Sequence, residues 1–377
     1  MNVRLQVGDT HNFAEDSLVQ VKLRNSIDPM YGALQTDVLE ATIYSDAPAE
    51  NFALNEQKVR LYRDDKKIAT YSVKKNVRRG SRRFDLTCRT NLEFLEGEFL
   101  GGFYKNETPE AMLCVILNDY FCELDPVIAN RYLTGYIPIC TRAQALRMVA
   151  FALGAVVSVD KEGVFRFQAL DPKRCTSIPH ERILWDTTLT SKPQYTRVEV
   201  VAHDFVEDSD WEVLYNNKDL DNETITLKFQ DPVCEYYISD GEILEQGPNY
   251  AVIWTTGNMT IKVRRYRHKT AYHTRTNEDA AGATYYSQVL SLRENTLITS
   301  ENVEEVLGWL FDRAKMRQEL TCKILVDQEK PGQLVSLPTG WGSRFTGYIT
   351  RMDSIMTAQG QVAEVTILGA EEKEETK

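Results

Sequence analysis

The stretch RFTGYITRMD, residues 344–353, has a near-copy earlier in the chain, KIATYSVKKN at 67–76. Each sets an aromatic-centred, β-branched run beside charges, with Tyr348 and Tyr71 at the same place. Period-two alternation is the strand signal, and on its own it is generic, since any two antiparallel meanders share it. The flanking segments therefore decide what the echo means. LVQVKLRN (18–25) agrees in type with TRVEVVAHD (196–204), LEATIYSD (39–46) with LTCKILVD (320–327), and KVRLYRD (58–64) with QLVSLPTG (333–340). FDLTCRT (84–90) agrees with AEVTILG (363–369). Val59 to Tyr71 is 12 positions and Val335 to Tyr348 is 13; Tyr71 to Thr87 is 16 and Tyr348 to Thr366 is 18. Five segments in one order, at matched spacings, predict a duplicated β domain. The copies differ mainly after the first strand, where the first has a short loop (25–38) and the second has residues 205–319.

Between the copies the period changes. TPEAMLCVILNDYF (108–121) carries Met112, Val115, Ile116 and Tyr120 at helical spacing, with Thr108 and Pro109 placed as N-cap and first helical residue. TRAQALRMVAFALG (141–154) has Thr141 and Gln144 spaced as a capping box and a stripe of Leu146, Val149, Ala150 and Leu153. Gly154 suits that helix's end. AVVSVDKEGVFRFQAL reads as a hairpin turning at Asp160–Gly163. Residues 301–320 form the clearest helix, with Val303, Val306, Leu307, Leu310, Phe311 and Ala314 on one face and Ser300 as its cap. TITLKFQ, AVIWTT and MTIKVRRY add strands within 205–298.

Composition narrows the class. The 377 residues are 42% hydrophobic and 26% charged, with 20 Gly and 12 Pro, so a globular chain of two or three domains is expected. A net charge of −11 argues against wholesale nucleic-acid binding. There is no apolar run of about 18 residues, hence no expected membrane span, and the opening MNVRLQVGDTHNF lacks the apolar core of a secretory signal. Seven cysteines (88, 114, 122, 140, 175, 234, 322), odd in number and without a CxxC, fit a reduced cytoplasmic birthplace. The sequons at Asn106, Asn222 and Asn258 then carry no weight.

No phosphate-binding glycine loop, HExxH or GxSxG is present. Cys140 precedes a helix N-terminus, where a thiolate could be stabilised, but a small buried residue ending a strand is the favoured reading. His268 and His273, five apart, fall on opposite faces of a strand and suit shared metal ligation poorly. A glycosidase-like carboxylate pair is defined in space, so sequence does not exclude one. The run KKNVRRGSRR (74–83) offers Lys74, Lys75, Arg78, Arg79, Arg82 and Arg83. It reads first as a solvated hairpin turn, then as a docking patch for an acidic protein partner, and last as a phosphate contact. Trp211, Tyr215, Tyr236, Tyr237, Tyr250 and Trp254 read as sheet core or protein interface ahead of a carbohydrate platform.

GYIPICTRAQALRMVAFALGAVVSVDKEGVFRF resembles the helix-plus-hairpin module of phage tail hub proteins. ENTLITSENVEEVLGWLFDRAKMRQEL, followed by KPGQLVSLPTG and FTGYITRMD, is similar to that family's closing part. The family includes baseplate hubs, the N-terminal portion of siphophage tail-associated proteins and phage-derived injection systems. The resemblance implies a mainly β chain with α+β portions. Its parts would be two similar tube-type antiparallel β domains (1–104, and 186–204 with 299–370), a small helix-plus-hairpin domain (105–185), a β-rich insertion (205–298) and an acidic tail (371–377). It further implies a homotrimer in a virion tail, made in the bacterial host cytoplasm. The expected partners are the tail tube or distal tail protein, the tape-measure protein and a central spike or fibre, with DNA only as passing cargo. No cofactor and no catalysis are implied. The chain stops soon after the second β domain, where siphophage relatives often continue into lytic or receptor-binding regions. The alternative is a cell-wall hydrolase or carbohydrate-binding tail component using the 205–298 insertion.

Overall fold

Strands dominate the computed structural model, which describes residues 2–46, 56–118, 120–160, 162–217, 223–255, 257–280, 288–357 and 360–372. The largest sheet runs, in spatial order, Ile183–Ser191, Gln318–Leu325, Gly360–Glu372, Arg344–Thr357, then Leu18–Ser26, Val38–Tyr44, Arg83–Arg89 and Lys66–Arg79. Lys58–Arg63, Val3–Val7 and His11–Ala14 continue beyond the last of these. Each half follows one plan. Its first, second, fifth and fourth strands lie side by side, and its third strand (Lys58–Arg63 or Leu334–Pro338) hairpins onto the start of the fourth.

The duplication holds at the level of single residues. Leu39 lies opposite Cys88 as Leu320 lies opposite Ile367. Val59 lies opposite Tyr71 as Val335 lies opposite Gly347. Each fourth strand carries a bulge at the same place, between Val73 and Lys75 and between Ile349 and Arg351. Bulges rebuild local twist and pairing, so a shared bulge is a feature that alternation alone does not supply.

Two parts of the expected echo are corrected. Tyr348 is not the counterpart of Tyr71; Gly347 is, one residue earlier. There is no room for a side chain there, because a Cβ on Gly347 would lie 2.5 Å from the carbonyl oxygen of Leu368. The segment 196–204 does not enter this sheet either. It begins the long strand Tyr195–Asn217, which pairs with Met259–Thr276 and Gln288–Leu292. The position expected for it is taken by Ile183–Ser191, whose pairing is irregular between Leu184 and Thr188. That irregularity breaks the period-two pattern from which strands are read.

One face of the sheet packs apolar clusters. Val21, Leu23, Leu39, Ile43, Phe84, Leu86 and Cys88 build the first. Leu320, Cys322, Ile324, Ile349, Val365 and Ile367 build the second. The other face carries Lys22, Arg24, Glu40, Lys323 and Glu364, as alternation requires.

The helix-plus-hairpin unit forms as its local signals dictate. Thr108 caps Pro109–Leu117, accepting from Ala111 N at 3.3 Å. The apolar face of this helix is Met112, Leu113, Ile116 and Leu117, whereas Val115 and Tyr120 are exposed. The Thr141–Gln144 capping box opens Arg142–Ala152, with Gln144 N donating to Thr141 Oγ1 and Thr141 N to Gln144 Oε1. Gly154 follows at φ +63°, the left-handed position a helix end requires. Asp160 holds the hairpin turn by accepting from Glu162 N and Val164 N. The long helix is Val303–Lys315, and its N-cap is Asn302, not Ser300, whose hydroxyl instead donates to Asp204. The insertion packs a four-stranded sheet against a three-stranded one across Val233, Ala251, Ile253, Met259, Ile261 and Val263. No helix among the described residues is long and apolar enough to cross a membrane.

Candidate assembly interface

The two halves of the large sheet meet along one antiparallel seam. Arg351 to Met356 lie opposite Ser26 to Val21, with Asp353 facing Arg24 and Ser354 facing Leu23. The alternation of each strand sorts this seam into two faces. On the polar face Arg24 Nε donates to Asp353 Oδ1 at 2.9 Å, and Arg351 holds the other carboxylate oxygen at 2.6 Å. Burial opposes ionisation of Asp353, but Arg351 and Arg24 outweigh it and hold its carboxyl below the usual range. On the core face Met352, Ser354 and Met356 are buried with Leu23. A cavity of about 730 Å³ lies beside the seam, where both halves meet the hairpin unit. Asn25, Asp37, Tyr71, Arg63 and Arg166 are among its lining residues. Burial there pushes the Asp37 carboxyl up to about 6, against a hydrogen bond from Asn25 that lowers it.

The basic run sits on Lys66–Arg79 and the turn after it, and most of its charges meet partners of their own chain. Lys74 bridges Glu56 and Glu93, and these bonds raise its pKa. Arg79 and Arg83 share Asp85, and Arg82 meets Asp46. Arg78 folds back on its own turn, donating to the carbonyls of Gly80 and Ser81. Among the described residues neither Lys75 nor Arg78 meets a carboxylate. Such exposed pairs are worth little each, and with Glu56, Glu93, Asp85 and Asp46 set against six basic residues the patch keeps a small positive excess.

The remaining candidates separate. His268 bonds His203, Nε2 to Nδ1 at 2.9 Å, while His273 bonds Glu304. Sequence reasoning missed His203 as the partner of His268, because pairing across strands joins residues 65 positions apart. Among the described residues no group of three or more His, Cys, Asp or Glu could hold a metal. Burial pushes the Cys140 thiol up to about 11, the reverse of an activated thiolate. In the insertion Tyr236 is partly buried and donates to Gly247 O, whereas Trp211, Val213, Tyr237 and Trp254 are exposed. Its acidic residues Asp208, Glu212 and Glu235 are tied to Arg267, Arg265 and Arg264.

No family model matches the sequence, and no curated protein matches it. Solved structures match the fold over nearly the whole chain. The 43 kDa tail protein of prophage MuSo2 from Shewanella oneidensis has TM-score 0.57 and 9% identity, covering 98% of each chain. The tail protein from Neisseria meningitidis MC58 has TM-score 0.58 and 10% identity, covering 97% of this chain and 96% of that one. The prophage tail protein gp18 from Listeria monocytogenes EGD-e has TM-score 0.53 and 9% identity, covering 97% and 94%. The mainly β fold expected from the resemblance is therefore found, and it is a fold that phage tail proteins have.

Proposed function

We propose that this chain is a structural hub of a phage tail tip or baseplate. Three copies form a ring that adapts a sixfold tail tube to a threefold central spike or fibre. The observation that carries this reading is the internal seam: two β units of one topology lie side by side in a single sheet, joined by main-chain pairing. Three such chains present six like units, and a ring built this way also hides strand edges. The full-length fold likeness to tail proteins supports the reading.

Ring closure assigns the faces. A sheet closed on itself has one outer and one inner side. The apolar side is covered by its own clusters, which leaves the polar side, with Lys22, Arg24, Glu40, Asp353 and Glu364, to line the channel. The basic turn at 78–83 would meet an acidic neighbour such as the tube or distal tail protein. Exposed Trp211, Val213 and Tyr237 on the insertion would serve further tail contacts. The chain would act as a structural part without catalysis, and among the insertion's carboxylates Asp208, Glu212 and Glu235 are held by Arg267, Arg265 and Arg264.

The test is the mass of the purified protein by light scattering, followed by electron-microscope images of the same fraction. A three-chain particle with a central opening is expected. A chain that stays monomeric alone and with a tail-tube preparation would remove the symmetry argument.

A further inference from the structure

The helix Pro109–Leu117 is apolar all round. Its sequence PEAMLCVIL carries one charge, Glu110, and a helix of that composition is ordinarily covered on every side. Here only one side is covered. Met112, Leu113, Ile116 and Leu117 pack into the core of the helix-plus-hairpin unit, while Ala111, Cys114 and Val115 form an exposed stripe at helical spacing. We infer that this stripe, with Phe121 beside it, is a docking surface for an amphipathic helix of a partner protein, apolar along one side and flanked by lysine or arginine. The surface belongs to the helix-plus-hairpin unit and not to the large sheet, so it stands apart from the ring proposed above.

Single apolar side chains in water are ordinary, but a cluster of them rimmed by charge marks an interaction site. Val115 is 59% exposed, Tyr120 44% and Phe121 79%. Tyr120 N donates to Leu117 O, and the strand Cys122–Leu124 packs on the helix, which keeps both aromatic residues beside the stripe. They are also held in place. The ring of Tyr120 stacks on Phe94 at 3.8 Å, and Phe121 O accepts from Phe165 N at 2.9 Å. An exposed aromatic residue that is already ordered loses little entropy on binding and makes a good anchor. Ala111 and Cys114 are small, so a second helix can approach closely along the stripe.

Charge selects the occupant. Residues 106–130 contain five acidic residues, among them Glu107, Glu110, Glu123 and Asp125, and no lysine or arginine. The cations at either end pair elsewhere, Lys105 with Glu207 and Arg131 with Glu305. Arg166 balances Glu123, and Arg142 is drawn onto the carbonyls of Val115 and Ile116, which still leaves an acidic excess. A cationic flank on the incoming helix matches that excess. A second copy of this chain fits poorly. The apolar sides of Arg142–Ala152 and Val303–Lys315 are already buried in their own clusters, and two of these stripes face to face would set like charges together.

The stripe carries its own reporter. Cys114 lies on it, and Cys175, exposed on the separate strand Cys175–Ser177, is the internal control. The full chain is alkylated with iodoacetamide, and mass mapping follows each cysteine. The probe is a synthetic amphipathic helix with leucine along one stripe and lysine on its flanks; its control carries glutamate in place of lysine. At saturation the lysine helix should slow alkylation of Cys114 about tenfold and leave Cys175 unchanged, and Val115→Ser or Phe121→Ser should each weaken its binding roughly tenfold. Glu110→Lys should weaken it as well, and added salt should do the same. All three positions are exposed, so unchanged urea midpoints confirm that the variants keep the fold. No protection of Cys114, or equal protection of Cys175, would overturn the docking surface. Equal protection by the glutamate helix would overturn the choice of a cationic partner. Protection of Cys114 that grows with the concentration of this chain alone would assign the stripe to a second copy and overturn the partner helix.

Discussion

Arg313 is the clearest place to test what holds the parts of this chain together. It lies near the end of helix Val303–Lys315 and is 7% exposed. Its guanidinium donates to Pro29 O at 2.7 Å and to Gly154 O, and it stacks over Trp309 at 4.2 Å. One side chain therefore ties together the long helix, the loop after the first strand and the end of the capped helix. Burial pulls its pKa down to about 10, so it remains charged at neutral pH. Arg313→Leu would orphan two carbonyl oxygens, at ~1–3 kcal/mol each. It would also remove a cation–π contact worth ~0.5–2 kcal/mol. Relief of the buried charge offsets part of this, leaving a net loss of ~2–4 kcal/mol. Arg313→Lys keeps the charge but has one nitrogen for two acceptors, and should lose about half as much. Urea unfolding followed by tryptophan fluorescence measures both. If Arg313→Leu unfolds at the same urea concentration as the parent, the three-way tie contributes nothing and the reasoning fails.

Asp37 is a carboxyl whose folded pKa is raised to about 6, so its native form favours the proton. Its contribution is present below the unfolded value and is lost as pH rises through the folded one. Asp37→Asn should therefore raise stability by ~1–2 kcal/mol at pH 7–8 and by little near pH 4, in urea midpoints taken across that range. His203 has the opposite sign: burial and then His268 lower its pKa, so the fold holds the neutral ring. Stability should decline as pH falls below about 6.5, and His203→Asn should flatten that decline. Reversing Arg78, Arg79, Arg82 and Arg83 to glutamate should weaken association with an acidic tail partner in a salt-dependent pull-down, and unchanged association would dismiss the docking role.

Much of this was legible locally. The capping box at Thr141, the Thr108 cap and the Asp160 turn need only residues three or four apart, and each formed where the sequence placed it. The duplication was legible as order and spacing, and the match of Leu39 with Leu320 and of Thr87 with Thr366 holds residue by residue. The first strand of the second copy was not legible. Ile183–Ser191 is irregular in mid-strand, while 196–204 alternates cleanly yet belongs to another sheet. Alternation reports that a segment is half-buried, not against which neighbour it is buried.

The sequence by itself determined the elements, their order and the repetition of a β unit, because these follow from side-chain period, caps and turns within short reach. Only the tertiary structure decided which residues are counterparts, since the hairpin from Lys75 round to Thr87 is shorter than the one from Arg351 round to Thr366, and spacing alone does not say where the extra residues fall. It also decided that the two units share one sheet and that His268 meets His203. Those facts depend on which strands meet in space, and contacts between residues such as Arg24 and Asp353, 329 positions apart, are fixed by the whole fold at once.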